Sequence, residues 1–296
     1  MTEELCQRFA DFDQWSTADA IAAMYEGQLM AIAAIKPAIL DIASAADQAV
    51  LKLGETGRLI FVGAGTSGRL AVQDAAELGP TFGWPQDRAV FCIAGGLQAL
   101  TISAEGAEDD SDEGLAQIRN IKAGKNDVVI GVAASGKTPF TLGALQEAKT
   151  MGALTIGIAN NPNTPILQAV DHAILAQTGS EIIAGSTRMK AGTAQKAILN
   201  MLSTAIMTRL GRVYKGFMVD MVVSNNKLEH RAISMICSIT NCSNKTAQSA
   251  LKDANENIKT AVLIALGQNP VSAKRILTQS GDNLRDALTI VEAKND

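Results

Sequence analysis

Apolar residues recur at three- and four-residue spacing from Thr17 to Leu53, which predicts helix, with Pro37 starting a second helix or kinking a long one. The rhythm then changes. Arg58–Gly63, Ala89–Ala94, Asp127–Ala133, Ala153–Ala159 and His172–Gln177 are short apolar runs rich in β-branched residues. Helical patterns at Arg69–Leu78, Glu113–Ile121 and Pro139–Met151 separate most of them. Strands that are apolar throughout and alternate with helices predict an α/β fold, a three-layer doubly wound sandwich around a five-stranded parallel sheet. Beyond Gly185 the pattern is helical, first in two long stretches, Met189–Leu210 and Asp220–Thr240. Four shorter units follow at Thr246–Glu256, Ile258–Leu266, Val271–Gln279 and Leu284–Glu292, punctuated by Gly267, Pro270 and Gly281. The expected organisation is a helical segment 1–54, an α/β domain with its following long helices 55–243, and a small helical domain 244–296.

Composition narrows the function classes. The 296 residues are 47% hydrophobic and 19% charged, as for a globular chain with a large core, and only 4% are aromatic. Lys and Arg number 26 against 30 Asp and Glu, a formal net charge of −4, and no basic tract is present. That argues against nucleic acid as a partner. A small anion remains open, because a backbone nest holds phosphate whatever the global charge. The acidic start has no apolar signal core, and the apolar-rich stretch Lys196–Leu210 is interrupted by Asn200 and Arg209, so no membrane span is expected. Cys6, Cys92, Cys237 and Cys242 form no CxxC pair, and His172 and His230 are the only histidines. No metal site is expected, and free thiols in a cytoplasmic compartment are.

Four loops carry candidate chemistry. Gly63-Ala-Gly-Thr-Ser-Gly68 follows a strand and opens a helix, as a dinucleotide-binding turn would. The next strand ends AVFCIAGG, without the carboxylate that would hold a ribose. Thr66, Ser67 and Gly68 suit a phosphate at a helix start better, and a purely structural turn is the bland alternative. Gly131-Val-Ala-Ala-Ser-Gly-Lys-Thr138 satisfies GxxxxGK[ST], yet Gly131 falls inside the apolar run and no later strand ends in a magnesium-positioning Asp. Ser135, Gly136, Lys137 and Thr138 still make a phosphate cradle, with Pro139 at the first helical position.

Two carboxylates stand out for proton transfer. Glu77 lies near a helix end beside Ala71, Val72, Ala75 and Leu78, where partial desolvation would suit a general acid or base; a solvated helix-end glutamate is the alternative. Glu108 stands in the acidic run Glu105, Glu108, Asp109, Asp110, Asp112, Glu113, which on its own reads as a solvated surface. In the fourth loop, Ser186, Thr187, Arg188 and Lys190 could orient an anion, although helix capping accounts for Ser186 and Thr187. Lys227 and His230 lie on a later helix as weaker candidates, and Met201, Met207, Met218 and Met221 suggest core or a dimer seam.

Taken together, GAGTSGRL, AAELGPTFG, EGAEDD, ASGKTP, GALTIGI and GSTRMKAGTAQK resemble the N-acetylmuramic acid 6-phosphate etherases from about residue 5 to 240, and the C-terminal helices resemble that family's small domain. The resemblance implies a sugar-isomerase (SIS) fold and a UBA-like end. It also implies cleavage of the D-lactyl ether of N-acetylmuramic acid 6-phosphate by water, giving N-acetylglucosamine 6-phosphate and (R)-lactate, in the recycling of cell-wall sugars. The family's two catalytic glutamates fall on Glu77 and Glu108, and no cofactor is implied. Leu78-Gly79-Pro80 departs from the Cys-Pro-Pro common in the family, a change expected to alter loop shape more than chemistry. A regulator that binds a sugar phosphate without turning it over, and an aldose–ketose isomerase, are the competing readings on the same fold.

Such an elimination needs an acid–base pair. The ether at C3 is a poor leaving group, and ring opening exposes an aldehyde that acidifies the C2 proton. One carboxylate removes that proton, an acid protonates the departing lactyl oxygen, and water adds back to the unsaturated intermediate. Glu108 is assigned to the C2 proton, and Glu77 to the leaving group and the water. Ser67 and Glu77 are ten residues apart on one predicted helix, about 15 Å, longer than a hexose phosphate. A homodimer with composite sites is therefore expected, one subunit's phosphate loops meeting a glutamate of the other.

Overall fold

The computed structural model describes residues 2–293; the last three positions of the expected 244–296 unit lie outside them. Chain contacts divide the molecule into two compact units, Met1–Ala76 with Gln86–Ala205, and Glu77–Pro85 with Ile206–Asp296.

The first unit opens with α1 (Thr17–Ala33) and α2 (Ile39–Leu53), separated by a 3₁₀ turn over Lys36–Ala38 that carries Pro37. The Ser16 hydroxyl accepts from the Asp19 N–H and caps α1. Five strands then alternate with helices: β1 (Leu59–Gly63), α3 (Gly65–Phe82), β2 (Ala89–Ile93), α4 (Ser111–Asn120), β3 (Val128–Ala133), α5 (Pro139–Thr150), β4 (Leu154–Ala159), α6 (Pro165–Ala169), β5 (His172–Leu175) and α7 (Lys190–Arg209). The sheet is parallel throughout, in the order β2-β1-β3-β4-β5. Ile60, Val62 and Val129 pack with Ile118, Phe140, Ala144 and Leu145 of α4 and α5 on one face. The alternate residues Leu59, Phe61 and Ile130 are buried too, and α2 contacts β3, β4 and β5. Both faces are covered, which is why the strands read as unbroken apolar runs. Gly131 lies within β3, where a Cβ would come 2.5 Å from Leu145, so it serves strand–helix packing and not a nucleotide loop.

At the strand starts, Asp127 ties the sheet together. Its carboxylate accepts from the Arg58 backbone (2.9 Å), the Arg58 guanidinium (2.6 Å) and the Gly124 N–H (2.9 Å). Burial pushes this carboxyl up, but the hydrogen bonds from Arg58 and Gly124 outweigh it and hold it below the usual carboxylate range. Burial also raises the Cys92 thiol to about 12, an inert core sulfur.

The second unit adds a hairpin, β6 (Val213–Tyr214) with β7 (Phe217–Met218), and the helices α8 (Asn226–Thr240), α9 (Asn244–Asp253), α10 (Ile258–Ala265), α11 (Pro270–Gln279) and α12 (Leu284–Glu292). Asn225, Ser243, Asn257, Asn269 and Asn283 cap α8 to α12 in turn, each side chain accepting a backbone N–H. The expected helix Asp220–Thr240 therefore starts six residues late, because Asn225 caps it and the chain before it is taken up by the hairpin and turn. Tyr214, Val219, Met221, Ala232, Met235 and Ile236 share one core with α9 to α12. By contacts this body begins at Ile206, upstream of the boundary expected near Ser243, and it includes the separate stretch Glu77–Pro85.

Candidate active site

Strand β1 is the point where the sheet order reverses, with β2 on one side and β3 on the other. Open parallel sheets bind ligands in the crevice beyond such a point. Here a cleft of about 540 Å³ is lined by Ala64, Gly65, Thr66 and Ser67 after β1, Ala134, Ser135, Lys137, Thr138 and Pro139 after β3, and Glu108 and Asp109 at its edge. A smaller adjoining cavity of about 270 Å³ shares Ala64, Gly65 and Glu108 and adds Arg69, Ser103 and Glu105.

The β1 loop is compact because it lacks side chains at two points. A Cβ on Gly63 would lie 2.8 Å from the Gly68 nitrogen, and one on Gly68 2.8 Å from the Gly63 oxygen. The strand thus turns directly into α3, whose first ladder bond runs from the Gly68 N–H to Ala64. The N–H groups of Gly65, Thr66 and Ser67 precede that bond and belong to the helix start, where an anion is favoured. Ser67 is held from behind. Its hydroxyl donates to Gln195 (2.9 Å), the Gln195 amide donates to Asn160 (2.9 Å), and Asn160 donates to the Ala176 carbonyl (3.0 Å). All three side chains are buried, so the loop rests on a neutral relay between α3, α7 and the end of β4.

In the β3 loop the Ser135 hydroxyl accepts from the Lys137 N–H (3.2 Å), and Gly136 adopts φ +65°. A Cβ there would also run into the Thr164 hydroxyl, so glycine is required twice over. Thr138 precedes α5 and Pro139 opens it. The two hydroxyl-rich loops and Glu108 therefore converge. Gly68 and Gly136 shape the loops without lining the cleft.

Other expected site residues lie elsewhere. Lys190 is buried, its ammonium donating to the Thr178 carbonyl (3.1 Å). The buried Glu181 carboxylate accepts the Lys190 and Ala191 N–H groups (3.0 and 2.9 Å) and caps α7, the task the sequence assigned to Ser186 and Thr187. Of that loop, Gly185 and Thr187 line the cleft and Ser186 does not. Glu77 lines neither cavity. It is exposed, on the α3 stripe Gln73, Ala76, Glu77, Pro80, while Ala71, Asp74, Ala75 and Leu78 face inward. The apolar residues expected around Glu77 share the helix but point elsewhere. His230 is exposed with Nδ1 2.6 Å from the Asn226 carbonyl oxygen, and Lys227 is exposed as well. Met207 and Met221 are core, whereas Met201 is exposed.

Sequence reasoning missed Glu3 at the rim of the cleft, because no motif links the N-terminus to the strand ends. Among the described residues, no group of three or more His, Cys, Asp or Glu side chains is placed to hold a metal ion.

Residues 41–149 match the glucokinase regulatory protein N-terminal SIS domain, and residues 101–205 match the SIS domain. The chain is 46% identical to an N-acetylmuramic acid 6-phosphate etherase from Deinococcus radiodurans, over 99% of this chain and 96% of that protein. It is 44% identical to N-acetylmuramic acid 6-phosphate etherase 1 of Bacillus licheniformis, over 98% and 96% respectively. A phosphoheptose isomerase from Francisella tularensis superposes with a TM-score of 0.52 at 21% identity, covering 66% of this chain and 100% of that one; this likeness concerns the fold alone.

Proposed function

Because the chain belongs to the N-acetylmuramic acid 6-phosphate etherase family, we propose that it cleaves the D-lactyl ether of N-acetylmuramic acid 6-phosphate with water, giving N-acetylglucosamine 6-phosphate and (R)-lactate. The observation that carries this reading is the convergence of the β1 and β3 loops with Glu108 on one cleft at the strand ends. The helix-start N–H groups and the hydroxyls of Thr66, Ser67, Ser135 and Thr138, with the Lys137 cation, suit the 6-phosphate. Ser186 and Lys190 act behind this contact set, in the loop and helix start that support Thr187.

Anchoring the phosphate lets the opened sugar reach the glutamates. Glu108 takes the proton from C2, the C3–O bond breaks as the lactyl oxygen is protonated by Glu77, and an α,β-unsaturated aldehyde remains. Water, deprotonated by Glu77, adds at C3, and C2 regains its proton from Glu108. Both groups end as they began.

The two parts of this machinery belong to different copies of the chain. Helix α3 is continuous from Gly65 to Phe82, so Ser67 and Glu77 are separated by about 15 Å of helix. The exposed side of α3 that bears Glu77, together with the exposed Ile21, Tyr25 and Leu29 of α1, favours a homodimer in which one subunit's Glu77 serves the other's cleft.

Lactate release from N-acetylmuramic acid 6-phosphate, followed by coupled D-lactate dehydrogenase, tests the reaction. Turnover should survive EDTA and fall by at least about a thousandfold in Glu77→Gln and in Glu108→Gln. Binding without release in the parent chain would favour the regulator, the reading that the match of residues 41–149 supports. Mixed dimers of Glu77→Gln and Ser67→Ala chains should regain activity; inactive mixed dimers, shown to have formed, would exclude the composite site.

A further inference from the structure

The second unit contains an ionic cluster that the reaction above does not use. Lys259 on α10 is fully buried, and its ammonium lies 2.6 Å from an Asp220 carboxylate oxygen and 3.0 Å from Asp282; it also donates to the Asp282 carbonyl (2.7 Å). A lysine removed from water in this way is costly unless paired, so the cluster is specific. Asp220 in turn lies 3.9 Å from the Arg212 guanidinium. The Arg212 guanidinium donates to the carbonyls of Phe82 (2.7 Å) and Gly83 (3.1 Å) and sits 5.2 Å over the Trp84 ring.

Those two carbonyls end helix α3. A helix leaves its last carbonyls without intrahelical donors, and the final turn frays unless they are satisfied from outside. In α3 the Val222 N–H reaches Pro80 (3.3 Å), Arg212 reaches Phe82 and Gly83, and the Gly83 N–H closes on Gly79 (2.8 Å). Gly83 has φ +59°, and a Cβ on it would strike the Asp220 carbonyl, so glycine is what lets the turn at Asp220 pass so close. A cation at a helix C-terminus is also favoured by the helix dipole. Glu77 lies five residues before the end of this helix, within the stretch Glu77–Pro85 that clusters with the second unit.

We infer that Arg212, braced by Asp220 and Lys259, is a positioning residue for Glu77, and that holding this end of α3 is a task of the C-terminal helical body. The inference rests on the catalytic reading of Glu77 given above. Arg212 touches no substrate. It fixes the last turn of the helix, the turn that follows the glutamate, so its loss lets this end unwind and the carboxylate drift.

The test uses the full chain, N-acetylmuramic acid 6-phosphate and the lactate assay. Arg212→Met should lower kcat about ten- to a hundredfold, the scale expected when a catalytic group is misplaced by an ångström. KM should stay within about twofold, because the phosphate loops are untouched. Arg212→Lys, which keeps the charge but not the paired donors, should fall between the two, and it carries the test if Arg212→Met does not fold. In a Glu77→Asp background, Arg212→Met should add little further loss, since both changes act through one carboxylate. An undiminished kcat in folded Arg212 variants, alongside an inactive Glu77→Gln, would overturn the positioning role alone. So would losses that multiply in the double variant. Full activity in Glu77→Gln would remove the catalytic reading and the positioning role with it.

Discussion

The cleft and the C-terminal body both bury polar side chains next to functional backbone, and they do so by different means. Behind the cleft, Ser67 is held by the neutral relay through Gln195 and Asn160 to the Ala176 carbonyl. At the end of α3, Arg212 is braced by the charged set Asp220, Lys259 and Asp282. A neutral relay leaves no charge of its own behind the helix start, the end of a helix where an anion is favoured. An ion set built around a buried lysine has steeper and longer-ranged fields, which suits clamping a helix end but would compete with an anionic ligand. The β1 and β3 loops of the cleft are polar yet uncharged apart from Lys137.

Three experiments sharpen or break this contrast. The largest effect is expected for Lys259→Met, which leaves Asp220 buried without its closest cation and should cost about 3–5 kcal/mol of unfolding free energy. Urea titration would read this as a lower midpoint, and adding Asp220→Asn should return part of the loss. A cost below that of breaking the neutral relay would mean that the charges do not hold the second unit.

Next is Gln195→Leu, which strands the Ser67 hydroxyl and the Asn160 oxygen in buried positions. It should destabilise by about 2 kcal/mol and raise KM more than it lowers kcat, as measured in the lactate assay. An unchanged KM would disconnect the relay from phosphate binding.

The smallest effect is expected for Asp127→Asn at the far end of the sheet, about 1.5 kcal/mol at neutral pH, because the asparagine keeps one acceptor for the Arg58 and Gly124 donors. The folded Asp127 carboxyl titrates below its unfolded counterpart, so its contribution is complete above the ordinary carboxylate value of about 4. It fades as the pH falls through the lower, folded value. The difference between parent and variant should therefore shrink on acidification; a constant difference from pH 7 to 3 would show that the ion pair with Arg58 is not its source.

Much of this architecture was legible one residue type at a time. The continuous apolar runs marked the doubly covered sheet, and Gly267, Pro270 and Gly281 marked the breaks between helices α10, α11 and α12, because a helix stop is a local device. The two hydroxyl loops were legible for the same reason: a strand, a glycine turn and a helix start are consecutive in sequence. Lys190 was not. As a basic residue in a loop rich in Ser and Thr it resembles an anion contact, and only packing against Thr178 and Glu181, twelve and nine residues upstream, turns it inward. Glu77 shows the same limit, since helix periodicity placed it beside apolar residues but not on which side of α3 it would project.

What the sequence by itself determined is the local chemistry: which runs are strands, where helices start, and which loops present hydroxyls, backbone N–H groups and carboxylates. Tertiary structure alone decided which of these meet. The β1 and β3 loops converge because those strands are neighbours in the sheet, a fact of topology and not of either segment. Arg212, Asp220, Lys259 and Asp282 form one cluster only because four separate segments fold together. Backbone preference acts over a few residues, whereas the pairing of buried charges acts through space. The second cannot be read from the first.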